Sequence, residues 1–151
     1  MKKYNIGVDL GGTKVLCAII DIEAPLKNLN EEKSAPKVLF EVKKKTKKEK
    51  GNEKVTAKLF EALDELFKIS KIKKEEINSI GIAAAGQIER EKGILINACN
   101  LECKNLELKK LVEEKYNIKT NLANDVEAAA IGELLLGAGK NHKNILCVFV
   151  G

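Results

Sequence analysis

Several kinds of residue are scarce in this sequence of 151 residues, and each scarcity excludes a class of site. Aromatic residues make up 4% of the chain, and none interrupts its one lysine-rich run, so the stacking surfaces of single-stranded nucleic-acid binders are absent there. The only histidine is His142. Because a structural zinc site takes four ligands, we expect no zinc site, although Cys99 and Cys103 stand close together in the sequence.

The signals of secreted and membrane proteins are also lacking. No apolar run approaches the ~20 residues that a membrane-spanning helix needs. The first residues, MKKYN, lead directly into an apolar strand pattern without the apolar core of a signal peptide. Four cysteines are too few for a secreted domain held together by disulfides. We therefore expect a reduced, cytoplasmic protein that does not enter a membrane.

Positive charge is concentrated in one short segment. The net charge is +5, and residues 43–50 alone hold six lysines and one glutamate, so the rest of the chain is neutral. A basic surface that extends over a whole domain is typical of nucleic-acid binding, whereas a single run is typical of a solvated loop. We therefore expect no specific nucleic-acid partner.

Hydrophobic periodicity predicts one α/β domain in which three strands precede an alternation of strands and helices. The predicted strands cover residues 4–10, 15–20, 38–42, 79–85, 118–122 and 144–150, with a short hairpin at 88–96 and a polar loop at 24–36. The predicted helices begin near Asn52, near Asn105 and at Asn124 or Asp125, and the last one stops at Gly137. This order predicts a mixed sheet, in which parallel strands extend an antiparallel meander and helices cover the sheet.

Residues 6–14 (IGVDLGGTK) place a carboxylate and a glycine turn between two apolar strands. A hairpin with a glycine turn explains Gly11 and Gly12 but not Asp9 and Lys14. Burial of an unpaired carboxylate is costly, so the aspartate needs a reason to be there. Glycines beside it let backbone N–H groups approach an anion closely, because no Cβ intervenes. The stretch therefore predicts a phosphate-binding turn with an aspartate able to hold hydrated Mg²⁺.

Other phosphate-binding patterns do not fit this sequence. The GxGxxG pattern is absent, and the chain turns from the first strand into a second strand rather than into a helix. Residues 137–141 (GAGKN) lack the spacing of the Walker loop and the Ser or Thr after its lysine. Gly137 and Gly139 are more typical of the end of a helix.

Three stretches, in order, resemble the motifs of the ROK family (repressor, open reading frame, kinase) within the actin-like ATPase and sugar-kinase superfamily. Residues 6–14 resemble the first phosphate motif, residues 81–101 a glycine segment that runs on to an Asn-Leu lining the sugar pocket, and residues 124–139 an Asn-Asp followed by an alanine-rich helix. The resemblance spans nearly the whole chain and implies a ribonuclease H-like, actin-like ATPase lobe. One departure is Ala85, where the family usually has proline.

The resemblance also implies a role for each motif residue. Asp125 would be the catalytic base that accepts the proton of the sugar hydroxyl, and Asp9 would hold Mg²⁺ through water near the γ-phosphate of ATP. The phosphate-binding residues would be Gly11, Gly12, Thr13 and Lys14. The sugar-binding residues would be Gly86, Asn100, Asn124 and Asp125. A helix cap remains the alternative interpretation of Asp125, and a turn asparagine that of Asn100.

Family members continue past a strand like the one predicted near the end of this chain. They supply a second phosphate loop, further sugar ligands, often a zinc-binding cysteine cluster, and the adenosine site. We therefore expect residues 1–151 to be the N-terminal lobe of an ATP-dependent hexose or N-acetylhexosamine kinase, with a homodimer as a candidate assembly, since family members are often dimers.

Two alternatives stay open. One is a sugar-responsive repressor, which would carry a DNA-binding helix-turn-helix ahead of the first strand; that strand is predicted to begin within five residues of Met1, so we rank the repressor lower. The other is a non-catalytic sugar-binding or regulatory module of the same family.

Overall fold

The structure, a computed structural model, describes residues 2–21, 36–46 and 50–149. Its first three strands form the predicted antiparallel meander: β1 (Tyr4–Leu10), β2 (Lys14–Asp21) and β3 (Lys37–Lys45). Burial alternates along β1, with Ile6 and Leu10 almost fully buried, because successive side chains of a strand point to opposite faces of the sheet. Most of the predicted loop at 24–36 lies outside the described residues.

Parallel strands extend the meander. The next strands are β4 (Ile77–Ala84), β5 (Gln87–Glu89), β6 (Ile94–Ala98), β7 (Cys103–Leu106) and β8 (Thr120–Asn124). Within the described ranges, β3-β2-β1-β4-β8 is the order of the main sheet, and β1, β4 and β8 run parallel to one another. β5, β6 and β7 form a smaller antiparallel sheet. The predicted mixed sheet is therefore confirmed.

Three α-helices lie in the described part of the chain: α1 (Asn52–Ser70), α2 (Leu108–Tyr116) and α3 (Asp125–Leu136). Two short 3₁₀ turns cover Lys74–Glu76 and Cys99–Leu101. α1 ends where Lys71 adopts a left-handed conformation and its N–H donates to the carbonyl of Phe67, a common helix C-cap. No helix of the described ranges is long and apolar enough to cross a membrane.

The hydrophobic core joins α1 and α2 to one face of the main sheet. Leu59 and Leu63 of α1 and Val112 of α2 are fully buried together with Ile6 and Ile80 of the sheet. Burial of these side chains is the main source of the stability of such a domain.

Tyr116 of α2 ties the two helices together at the edge of the core. Its ring contacts Phe60 and Phe67 of α1, and its hydroxyl donates to a carboxylate oxygen of Asp64 at 2.8 Å. Burial and the nearby Asp64 carboxylate raise the pKa of Tyr116 well above its ordinary value, so the phenol remains a hydrogen-bond donor at neutral pH.

One predicted strand is absent from the structure, and one observed strand was not predicted. Residues 145–149 form no strand, although a strand was expected at 144–150; Val150 lies outside the described residues. β7 was not predicted, because its sequence, CKNL, shows little alternation.

The first two helices begin near the predicted asparagines, but neither asparagine is the cap residue. Asn105 lies inside β7, and α2 begins close by with Glu107 as its cap residue. Asn52 does not cap α1 either; Gly51 does, and the Asn52 amide instead exchanges hydrogen bonds with the backbone of Lys104.

The second face of the main sheet is lined by small residues and is largely open. Gly7, Gly81 and Ala83 line a pocket of about 570 Å³ on this face. α3 lies beside the pocket, and none of its residues is buried. Ile131 and Leu135 of α3 are 42% and 59% exposed, so this helix presents an apolar surface that the described residues do not cover.

Candidate active site

Three parallel strands end at one edge of the main sheet and bring the motif residues to that edge. Asp9 of β1 pairs with Ala83 of β4, which pairs with Ala123 of β8. The next row of paired residues, one position further along each strand, consists of Leu10, Ala84 and Asn124. Ligands of α/β sheets bind beyond the carboxyl ends of parallel strands. Asp9, Gly86 and Asp125 therefore share the edge at which a ligand site is expected.

The predicted phosphate turn closes the β1–β2 hairpin. The N–H of Gly11 donates to the carbonyl of Lys14 at 2.9 Å, and Thr13, at the tip, is exposed. A Cβ on Gly11 would meet only the Lys14 carbonyl oxygen, at 3.4 Å. The turn is therefore compact and has few side chains, as an anion-binding backbone requires.

Thr46 holds this turn from the neighbouring strand. It directly follows β3, it is fully buried, and its hydroxyl donates to the carbonyl of Gly11 at 2.7 Å. Its backbone N–H donates to the carbonyl of Thr13 at 2.9 Å. Thr46 was not among the residues predicted from the sequence. The only signal was a lone threonine in a lysine run, one residue beyond the position that hairpin register sets opposite Lys14.

Gly12 brings the phosphate turn against a predicted sugar residue. A Cβ on Gly12 would lie 2.8 Å from the Cβ of Asn100 and 3.3 Å from its carbonyl oxygen, so only glycine fits without a shift. The carbonyl of Asn100 also accepts a hydrogen bond from the Lys50 ammonium, and the next carbonyl, that of Leu101, accepts from the N–H of Gly51 at 2.8 Å. The predicted phosphate and sugar residues are thus in contact here.

Gly86 and Asn124 form a second contact between motifs. The Asn124 amide donates to the carbonyl of Gly86 at 3.0 Å. Its oxygen accepts from the N–H groups of Val126 at 2.9 Å and Glu127 at 3.3 Å, so Asn124 is the N-cap of α3. A Cβ on Gly86 would lie 2.5 Å from the carbonyl oxygen of Asn97. Sterics therefore require the glycine, and the asparagine has one amide hydrogen left for a ligand.

Ala85 stands where the family that the sequence resembles usually has proline, and its backbone N–H makes a hydrogen bond. Its N–H donates to the carbonyl of Leu10 at 3.4 Å. A proline at this position would have no N–H to donate. In this chain the segment before Gly86 is therefore fastened to β1 by a backbone hydrogen bond.

Asp125 is the first residue of α3. One of its carboxylate oxygens accepts the N–H of Val126 at 3.0 Å, and no residue in the described ranges bonds to the other oxygen. The side chain is half-buried. Its geometry is that of a helix-start residue with one oxygen open to a ligand.

Asp9 is half-buried rather than fully buried, which corrects the expectation from the apolar strand around it. Its carboxylate has no hydrogen bond or ion pair with any described residue. In particular, no hydrogen bond connects Asp9 with Asp125 in the described part of the chain. No cluster of three or more His, Cys, Asp or Glu residues suited to a metal occurs in 2–21, 36–46 or 50–149. Asp9 could therefore hold only a cation whose other ligands are water or substrate oxygens.

Residues 5–151 match the family model described as ROK family. The chain belongs to the ROK family. It is 28% identical to a glucokinase of Halalkalibacterium halodurans over 149 residues, which cover 99% of this chain and 42% of the relative. It is also 30% identical to a xylose repressor of Caldicellulosiruptor bescii over 114 residues, 76% of this chain and 29% of the repressor. The relatives of this chain thus include both a kinase and a regulator.

A solved structure supports the same fold. A ROK family glucokinase from Streptomyces griseus, crystallised with glucose and AMPPNP, superposes with a TM-score of 0.72 at 27% identity, over 92% of this chain and 38% of the other. The predicted actin-like ATPase fold class is thereby confirmed. The chain spans about two fifths of the length of the glucokinases that it matches.

Proposed function

We propose that residues 1–151 are the N-terminal lobe of an ATP-dependent sugar kinase that transfers the γ-phosphate to a hydroxyl of a hexose or N-acetylhexosamine. The observation that carries this proposal is the contact of Gly12 with Asn100 at the sheet edge that also bears Asp125. A kinase needs its phosphate donor and its acceptor hydroxyl side by side. Similarity to glucokinases over nearly the whole chain supports the same reaction class.

In this proposal Asp125 is the general base. Its free oxygen would accept the proton of the acceptor hydroxyl as the phosphoryl group is transferred. Phosphoryl transfer passes through a loose transition state, so positioning and charge neutralisation matter more than base strength. A carboxylate held at the start of α3 is suited to that task, because Asn124 caps the same helix and fixes its first turn.

The turn from Gly11 to Lys14 would hold the phosphates of ATP through those of its backbone N–H groups that the turn itself does not use, since the N–H of Gly11 already donates to Lys14. The Thr13 hydroxyl and the Lys14 ammonium would be further donors. Asp9 would hold Mg²⁺ through water. This fits the residues present: a lone, half-buried carboxylate without a partner in the described ranges suits an ion that keeps most of its water. When bound, Mg²⁺ would neutralise phosphate charge, whereas zinc is not expected in this lobe.

The sugar side of the proposed site is formed by Asn100, Asn124 and the backbone at Gly86. The Asn100 side chain is exposed and can reorient towards a hydroxyl. Asn124 has less freedom, because its oxygen is used by α3 and one amide hydrogen by Gly86. We therefore assign Asn100 the direct contact, and Asn124 mainly the placement of Asp125.

A second candidate is a sugar-binding regulatory module, which the similarity to a xylose repressor favours. Both candidates predict sugar binding. Only the kinase predicts nucleotide-dependent turnover and a requirement for the Asp125 carboxylate.

The test is ADP release by the complete gene product, in a coupled assay with a panel of hexoses and N-acetylhexosamines. We expect sugar-dependent release by the complete protein. We expect none above background from residues 1–151 alone, because one lobe cannot close over its substrates. Sugar binding by the complete protein without ADP release would instead support the regulatory module, and robust release by residues 1–151 alone would refute the assignment as a lobe.

A further inference from the structure

We infer that Thr46 is the residue that positions the phosphate turn for the nucleotide; this role rests on the proposed kinase function. Thr46 bonds to both ends of the short segment that would meet the phosphates. Its hydroxyl binds the Gly11 carbonyl, and its N–H binds the Thr13 carbonyl. The two bonds come from one buried residue directly after β3, so they restrain the turn as a unit.

The hydroxyl has a specific role beyond filling space. Thr46 is fully buried, and its hydrogen bond to the Gly11 carbonyl is part-buried. A valine would keep the shape of the side chain and leave that carbonyl without its donor. Loss of one partner of a buried hydrogen bond costs more than the net value of the bond itself. The hydroxyl therefore holds the turn in place before any ligand arrives.

Gly12 lies in sequence between the two residues whose carbonyls Thr46 binds, and it is packed against Asn100. The turn is thus held by hydrogen bonds to Thr46 and by packing against Asn100. A binding backbone that is fixed in advance loses less entropy when a ligand binds. Loss of the hydrogen bond from the Thr46 hydroxyl to the turn should therefore weaken nucleotide binding much more than sugar binding.

Charge at the turn indicates an anionic ligand. Lys14 and Lys45 lie directly opposite each other in the β2–β3 pair, and like charges at such positions destabilise a strand pair. An anion beside the turn would relieve that repulsion. Lys44, which points to the other face, is instead paired with Glu61 and Glu65 of α1.

The test compares Thr46→Val with Thr56→Val, a matched control from α1. Thr56 is also a buried threonine, but its hydroxyl has no partner among the described residues, so the same chemical change should be harmless there. In the complete gene product we expect Thr46→Val to raise KM for Mg²⁺-ATP roughly tenfold. We expect KM for the sugar to stay within about twofold, and Thr56→Val to change neither constant by more than that.

A second readout needs no activity. In residues 1–151, Thr46→Val should speed hydrogen exchange of the Gly11 and Thr46 amides roughly tenfold, while the Val8 and Cys17 amides of the sheet stay unchanged. Should Thr46→Val fail to fold, Thr46→Ser and Thr46→Ala supply the comparison, because they differ only in the hydroxyl. Thr46→Ser should behave like wild type in both measurements.

The outcomes separate the two proposals. Equal effects of Thr46→Val and Thr56→Val on KM and on exchange would overturn the role of Thr46. A wild-type gene product without nucleotide binding would refute the kinase function and the ligand named here. In that case the exchange rates alone decide whether Thr46 holds the turn, and unchanged rates would overturn that part as well.

Discussion

Gly12 and Asn100 lie so close that a Cβ on Gly12 would be 2.8 Å from the Cβ of Asn100. The two residues are far apart in the sequence and belong to different motifs, one of the proposed phosphate site and one of the proposed sugar site. Because the two residues are in contact, added volume at Gly12 must displace either Asn100 or the phosphate turn.

Gly12→Ala should therefore damage both halves of the site. The added methyl must displace Asn100 or the turn, and overpacking of this kind costs about 1–3 kcal/mol. We expect the free energy of unfolding in urea to fall by that amount, and KM for Mg²⁺-ATP and for the sugar to rise together. Gly11→Ala is the control for the free energy of unfolding and for KM of the sugar, because its Cβ would meet only the Lys14 carbonyl, at an ordinary distance. If both variants were equally damaging, the contact with Asn100 would not be the cause.

Asp125→Asn tests the proposed base. In the complete gene product it should lower turnover by a factor of roughly 10² to 10⁴, the range for a lost general base, with only a modest change in sugar binding. Asn124 still caps α3 in this variant, so stability should change little. Glu127→Gln is the matched control: it removes a charge from the same helix turn, where Glu127 is exposed and paired with Arg90 at 2.9 Å. Near-normal turnover of Asp125→Asn would remove Asp125 from the mechanism.

Asp9→Ala tests the proposed metal-side carboxylate. Isothermal titration with Mg²⁺-ATP should show weaker binding, whereas sugar affinity should be preserved. The free energy of unfolding should be unchanged or higher, because the carboxylate that is removed is half-buried and has no partner among the described residues. Glu41→Ala, at an exposed position on β3, controls for the loss of one negative charge. Unchanged Mg²⁺-ATP affinity in Asp9→Ala would exclude Asp9 from the site.

The apolar surface of α3 should make residues 1–151 self-associate. Ile131 and Leu135 lie one turn apart on this helix and are exposed. Sedimentation equilibrium should detect a dimer that Ile131→Lys with Leu135→Lys weakens by at least about tenfold, since each large apolar side chain buried at an interface contributes about 1.5–3 kcal/mol. Ile69→Lys, at an exposed position of α1, is the control. A wild-type chain that stays monomeric at high concentration would contradict this expectation.

The sequence predicted the elements whose signals are strong and local. The β1–β2 hairpin follows from apolar runs on both sides of a glycine turn, and α1 from apolar residues at helical spacing over 19 residues. α3 starts at Asp125, as predicted, because the Asn124 side chain accepts two N–H groups of its first turn.

Elements that depend on a distant partner were harder to predict. The apolar residues 145–149 have strand-forming side chains, but strand propensity counts only where a neighbouring strand is available, and they form no strand. β7 is the reverse case: a segment of four residues without a strand pattern becomes a strand because β6 offers it an edge.

The same division holds within the candidate site. Residues 9–14 could be selected from their local pattern, whereas residues 124–125 were selected through the resemblance to the Asn-Asp motif of the family. The hydroxyl of Thr46 reaches Gly11 across 35 residues of sequence, and nothing in the lysine run indicates that contact. The partial exposure of Asp9 also depends on what covers the second face of the sheet, which no local pattern reveals.

The row of paired residues from Asp9 through Ala83 to Ala123 fixes the distance between the two outer strands of the candidate site. Neighbouring strands are spaced by about 4.8 Å, so the strand of Asp9 and the strand that leads into Asp125 are separated by about 10 Å across β4. Backbone hydrogen bonds of the sheet fix that span, and no loop takes part in it. In the proposed kinase, a change of preferred sugar would therefore arise in the turns around Asn100 and Gly86, while the proposed donor and acceptor sides keep their separation.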